Sequence, residues 1–325
     1  MTAWFDRRLL VVAGKGGVGK TTVACALGLE AARAGKRTVL AEVDGSGRAA
    51  ALFGLNPAVV GEPQAVRPNL HVLAVDGKAS LEEYLALIIP IRRLLDAVFS
   101  SRIYAYFVAA APGLKELMTI GKIWYEAERI DEATGERRWD LVIFDAPATG
   151  HSVQYLRMPQ ATYDAFTAGW VGRESHRVVD LLTDPQRTAV NLVTTAEEMP
   201  VNETVEMYQQ LCGELHLPPG MLFVNRVHRA RFRREEVDRL AAAGAAIKSR
   251  DDRALLAEVV QRAREEVGWS EINSEYLQRL EREIELPRIE LPYLFAEEFG
   301  LDQVRELASV IGSAHALAPR KRVEA

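Results

Sequence analysis

The chain has 325 residues, 48% hydrophobic and 26% charged, which is enough apolar material for a sizeable core and excludes a disordered chain. A formal net charge of -5 argues against a surface that binds nucleic acid along its length. Two cysteines, Cys25 and Cys212, are too few for a disulfide framework, so a reducing, cytoplasmic setting is expected.

Residues 1–8 lead almost at once into the apolar run 9–13, so no signal sequence is expected. The run reads as a buried strand and is followed by Gly14, Lys15, Gly16, Gly17, Val18, Gly19, Lys20, Thr21 and Thr22. This satisfies G-x-x-x-x-G-K-[ST] in its required place, between a strand and a helix. Such a loop turns successive backbone N–H groups toward one centre at the positive end of a helix, where a nucleotide polyphosphate fits. Lys20 is the candidate for the β and γ phosphates, and the Thr21 hydroxyl for Mg2+. Lys15 has no role in an ordinary phosphate loop. With it, K-G-G-V-G-K-T-T resembles the deviant loop of the ParA, MinD, ArsA and nitrogenase iron protein group. That resemblance implies ATP-dependent dimerisation, with Lys15 reaching the partner's nucleotide.

Residues 23–34 read as a helix closed by Gly35, and 38–43 as a second strand, giving a βαβ unit and a parallel sheet. Asp44 ends that strand. Local sequence reads it equally as an Asp-Gly turn; the family resemblance implies that it orients the attacking water. Many relatives continue D-P-A-H, whereas this chain continues Gly45, Ser46, Gly47. A strand is expected at 70–75, then helical patterning over 81–129. Leu81, Tyr84, Leu85 and Ile88 form one stripe, and Ile91, Leu94, Leu95 and Val98 another beyond Pro90. Leu87 and Ile89 fall outside it, so the apolar surface is either buried or receives a hydrophobic cargo; burial is the expectation. Charges at Glu82, Glu83, Arg92, Arg93, Asp96 and Arg102 exclude a membrane span there.

Residues 140–145 give a strong strand ending in Asp145, where a carboxylate lies beside the phosphate loop and holds magnesium through a water. The following D-A-P-A-T-G-H, residues 145–151, closely resembles switch II of ArsA and of the ATPases that target tail-anchored proteins. The segment 111–117, A-P-G-L-K-E-L, resembles the stretch between their two switches. The resemblance makes His151 a hydrogen-bonding switch residue rather than a metal ligand.

Strands are expected at 188–194 and 221–225, with a helix at 200–215 between them. Asn225 carries the donor and acceptor that pair with an adenine edge; the family implies this role, favouring ATP over GTP, and implies that Pro292 and Tyr293 close on the base from the other side. Residues 228–285 read as three helices, 234–240, 253–267 and 272–283. Arg229, Arg231, Arg233 and Arg234 read as a solvated basic face. A closing helix is expected at 301–311.

The whole reads as one doubly wound, mainly parallel α/β ATPase domain with helical subdomain insertions. Its nucleotide core spans about 5–76, 139–159, 186–227 and 286–312, and its insertions about 78–135, 160–185 and 228–285. With one phosphate loop and no internal repeat, the chain corresponds to one half of ArsA, so a homodimer or a heterodimer with a paralogous ATPase is expected. ArsA holds arsenite with three thiolates and the eukaryotic targeting factors share a zinc ion through C-x-x-C. Residues 213–325 contain no cysteine, so neither feature is expected here, and no zinc. The resemblance implies Mg2+-dependent ATP hydrolysis that drives targeting or chaperone-like handling of a hydrophobic or membrane-associated client. Tyr163, Phe166, Trp170 and Val171 are candidates for a small groove. Two alternatives stay open: a ParA- or MinD-like positioning ATPase acting on DNA or membrane, and a regulatory subunit of a paralogous pair. Specific nucleic acid binding is not expected, and contact with the membrane is expected only peripherally, through a partner.

Overall fold

Every position of β1 (Leu9–Gly14) is buried, the condition of a strand covered on both faces. The computed structural model describes residues 4–43, 47–89, 91–166, 168–229 and 231–317. From β1 the chain enters α1 (Lys20–Arg33), β2 (Thr38–Val43), the short α2 (Arg48–Leu52), β3 (Gln64–Arg67) and β4 (Leu70–Val75). A helical insertion follows, comprising α3 (Gly77–Ile88), α4 (Arg92–Phe99), α5 (Arg102–Ala110) and α6 (Leu114–Glu128). Next come β5 (Leu141–Asp145), α7 (Thr149–Ala165), α8 (Trp170–Thr183), β6 (Thr188–Thr195), α9 (Glu198–Gln209) and β7 (Pro219–Val227). The chain closes with α10 (Arg234–Ala243), α11 (Arg250–Glu283), β8 (Arg288–Pro292) and α12 (Leu301–Leu317).

The eight strands form one sheet in the order β3-β4-β2-β5-β1-β6-β7-β8. Among the described residues β3 alone runs antiparallel, against β4. The fold is therefore the expected mainly parallel α/β sheet with helical insertions. Side chains alternate across it. Leu9, Val11 and Ala13 join Phe144 and Leu192 in one core, which also takes in Ile120 of α6 and Leu280 of α11. Leu10 and Val12 join Ile143 and Phe223 in the other, which includes Leu27 of α1 and Ile311 of α12. Phe144 and Phe223 are fully buried, so truncating either to alanine costs about 3–5 kcal/mol. The connection out of β1 runs to β2 on one side, and that out of β5 runs to β6 on the other. The carboxyl end of β1 is thus the point where the winding reverses, the place where such sheets bind ligands.

Two expectations fail. The helices expected at 253–267 and 272–283 are a single 34-residue helix, α11. Gly268 falls between the two expected helices but costs a helix only about 1 kcal/mol, while Ser249 caps the start by accepting the Asp252 N–H. Burial of the apolar surface in the first insertion also fails. Leu81, Tyr104 and Val108 pack into a small core with Leu85 and Met118. Leu87, Ile91, Ile103 and Tyr106 remain 58–82% exposed, because nothing among the described residues covers them. Ile89, ahead of Pro90, is extended (φ -106°, ψ 100°) and ends α3, the conformation a following proline favours.

Candidate nucleotide site

The loop between β1 and α1 is shaped by close approach. Gly14, at φ 154°, lies so near β6 that a Cβ would sit 2.1 Å from the Val193 carbonyl oxygen. Gly19, at φ 95°, caps α1, and a Cβ there would sit 2.3 Å from Asn225 Nδ2. Gly17 also adopts positive φ, and Gly16 lies against Ala148 of the segment after β5. Val18 is buried, while Thr21 and Thr22 are half-buried in the first turn of α1. Lys20 Nζ donates to the Lys15 carbonyl at 3.0 Å, drawing the lysine back over its own loop. Burial lowers the ammonium pKa, and the Asp145 carboxylate opposes that shift.

Thr21 and Asp145 meet directly. The threonine hydroxyl donates to Asp145 Oδ2 at 2.5 Å, and Oδ1 is buried with no hydrogen-bond partner among the described residues. Burial pushes the Asp145 carboxyl up to about 7; Thr21, Lys20 and Arg48 pull it down, and Glu42 raises it. Glu42 stands opposite Asp145 in the β2–β5 register and accepts the N–H groups of Arg48 and Ala49 at 2.9 and 3.3 Å. An orphaned carboxylate oxygen beside a hydroxyl, on a helix start next to a phosphate loop, fits a divalent cation with oxygen ligands.

Lys15 turns toward its own chain, where Nζ lies 2.5 Å from Glu203 Oε1 on α9. Asn225 ends up on the loop as well, its Nδ2 donating to the Val18 carbonyl at 2.8 Å. Arg226, next along β7, adopts φ 56°, and the β7–β8 register shifts there; the irregularity leaves Asn225 buried and Arg226 exposed. Beyond it the two strand ends carry aromatic rings. His228 stacks on Tyr293 at 4.4 Å, and Tyr293 meets Phe295 at 4.7 Å. These rings, with Pro292, line a cavity of about 260 Å³. Asn273 of α11 fastens this end by accepting the His228 N–H at 2.7 Å and donating to the Ala196 carbonyl at 3.1 Å.

Lys15, Lys20, Thr21, Asp145 and Asn225 therefore gather around one loop, with Pro292 and Tyr293 at its β7–β8 flank. Asp44 lies outside the described residues, as do the side chains of Thr149 and His151. Sequence reading missed Glu42, Glu203 and His228. Glu42 carries a signal, an acidic residue within the apolar strand T-V-L-A-E-V. Glu203 carries none, since its partner lies 188 residues away.

The family model for anion-transporting ATPases of the ArsA type matches residues 7–169. ATPase BagA of Mycobacterium tuberculosis (strain ATCC 25618 / H37Rv) is 32% identical over 303 residues, 88% of this chain and 87% of that protein. The chain belongs to the ArsA ATPase family. A putative ATPase of Mycobacterium bovis matches with the same identity and coverage. An arsenical pump-driving ATPase of Acidiphilium multivorum is 30% identical over 241 residues, 67% of this chain but only 39% of that protein. Family membership implies nucleotide binding and supports ATP hydrolysis. Among the described residues no helix is long and apolar enough to cross a membrane.

Proposed function

We propose that this ArsA-family chain is a Mg2+-dependent ATP hydrolase working as a dimeric switch that handles a hydrophobic or membrane-associated client. The reading rests on Oδ1 of Asp145, buried beside the Thr21 hydroxyl with no hydrogen-bond partner among the described residues, because a cation placed there would satisfy a carboxylate that otherwise holds a proton. Thr21 and Asp145 would hold the ion, Asp145 through a water. Bound there, it would offset the charge that builds on the phosphate oxygens.

Lys20 and the loop N–H groups bind the β and γ phosphates, and Asp44 orients the attacking water. Asn225, Pro292 and Tyr293 hold adenine. Lys15 exchanges Glu203 for the phosphates bound by a partner subunit, a homodimer mate or a paralogue. The exchange is cheap: with side chains 25% and 29% exposed, the ion pair contributes under about 1 kcal/mol.

Hydrolysis is coupled to the client through α7, which starts four residues beyond Asp145. There Met158 packs against Gly113 at the head of α6. The exposed Leu87, Ile91, Ile103 and Tyr106 of the same insertion supply the apolar face that a client covers. Arsenite is a poor fit as cargo, since Cys25 is buried and Cys212 half-buried with no third thiol in the chain.

The test is the mass in solution with and without Mg-ATP, for wild type and for Asp44→Asn. A dimer that accumulates with Mg-ATP in the slow variant supports the homodimeric switch. A monomer with ATP bound under every condition refutes it and directs the search to a paralogous partner.

A further inference from the structure

Between α3, α6 and α8 lies a cavity of about 350 Å³ that no residue of the phosphate loop lines. Its walls are aromatic. Tyr84 of α3 stacks on Trp170 of α8 at 5.2 Å, with the planes 12° apart, and Trp124 and Tyr125 of α6 line it too, together with aliphatic residues such as Met118 and Val178.

The charges at its wall are closed on one another. Lys122, 5% exposed, is held by Glu83 at 2.6 Å and by Glu126 at 3.1 Å. Arg177 pairs with Glu174 at 3.0 Å. A charged ligand that broke into the Lys122 pairs would leave a buried ammonium unmatched, whereas an uncharged ligand leaves them in place; Arg177, 61% exposed, is open to solvent.

Gly121 makes the space. It stands in the middle of α6, where glycine costs about 0.8–1 kcal/mol relative to alanine. A Cβ built on it meets nothing within 4 Å, and the residue lines the cavity. The helix forgoes that stability at a position where a side chain would add to those of Leu117, Met118 and Tyr125 already in the wall.

We infer that this cavity is a binding site for a small uncharged aromatic or alicyclic molecule. Its volume lies within the usual range of small-ligand pockets, about 300–1,000 Å³, and its lining is mainly apolar and aromatic, with Ser80, Ser175 and the paired charges as its polar members. It does not suit a spanning-length helix, which at about 30 Å long and 10 Å across occupies roughly 2,400 Å³. The occupant is thus different in kind from a protein client, although Leu87 of the exposed face also reaches the cavity wall. Binding requires no nucleotide, so its outcome is separable from that of the ATPase reading.

The experiment titrates the full chain, without nucleotide, with N-phenyl-1-naphthylamine, an uncharged aromatic probe. Its fluorescence gain and the quenching of tryptophan emission are followed together. Wild type is expected to bind it saturably. Gly121→Leu fills the cavity and is expected to weaken binding about tenfold or more while keeping or raising the melting temperature. Trp170→Ala removes the stacked wall and is also expected to weaken binding, and Ile103→Glu on the exposed face to leave it unchanged. Absence of saturable binding to wild type, or undiminished binding to folded Gly121→Leu, overturns the assignment. So does equal weakening by Ile103→Glu, which would place the probe on the outer face. If Gly121→Leu fails to fold, unchanged affinity in Trp170→Ala overturns it alone.

Discussion

Thr21 donates its hydroxyl hydrogen to Asp145 Oδ2 while the other carboxylate oxygen stays dry and unmatched. In metal-free protein that arrangement opposes stability. Burial raises the carboxyl from 3.8 to about 7, so between those values the folded state keeps a proton that the unfolded state has lost. Its contribution to stability is full below about pH 4 and disappears as pH rises through about 7. Asp145→Asn should remove this loss. At pH 8 the metal-free variant is expected to melt above wild type, yet to lose the gain in melting temperature from Mg-ATP. Thermal scans at pH 5 and pH 8, with and without Mg-ATP, check both halves.

The pairing of Lys15 with Glu203 holds the lysine within its own subunit. Glu203→Ala should change stability by less than about 1 kcal/mol and lower the ATP concentration needed for dimerisation. Lys15→Ala should leave nucleotide binding by the monomer intact and abolish the ATP-dependent dimer. Sedimentation across an ATP series separates these outcomes, and identical series for all three proteins would contradict the role given to Lys15.

Asn225 reaches the phosphate loop through the Val18 carbonyl, so its loss is felt at both ends of the nucleotide. Asn225→Ala leaves that buried carbonyl without its side-chain donor, a cost of about 1–3 kcal/mol. The variant should bind ATP more weakly and lose its preference for ATP over GTP. Titrations with both nucleotides measure this, and an unchanged ATP-to-GTP ratio would separate Asn225 from base recognition.

Asn273 is 3% exposed and spans from His228 to Ala196. Asn273→Leu strands a buried N–H and a buried carbonyl, so destabilisation by about 1–3 kcal/mol for each is expected. Denaturant unfolding measures it. A change below about 0.5 kcal/mol, the ordinary range for surface substitutions, would mean that the bridge contributes little.

The phosphate loop and Asp145 were legible because their chemistry is local. Glycines at 14, 17 and 19 are required by backbone shape, and Asp145 ends an apolar run that can only be a buried strand. The carboxylate facing Asp145 was half legible: Glu42 interrupts an apolar strand, but register across β2 and β5 gives it a neighbour. Edge strand β3, Q-A-V-R, is too short and polar to announce itself. Periodicity found the apolar stripes of α3 and α4 and could not tell whether anything lies over Leu87 or Ile91, because covering is a property of the assembled chain. Nor could it show that α11 runs unbroken through Gly268, since a helix tolerates one glycine where packing holds it, as at the neighbouring, buried Val267.

The continuity of α11 has a mechanical result. Asn273 bolts it beside the aromatic end of β7, and from there to Arg250 the helix runs 23 residues, about 35 Å at 1.5 Å per residue. A rigid rod pivoting at that bolt multiplies motion, so that a tilt of about 5° carries its tip about 3 Å, close to the width of a water molecule. Two shorter helices with a loop between them would absorb the same tilt at the joint. One unbroken helix instead delivers it to the far surface of the molecule.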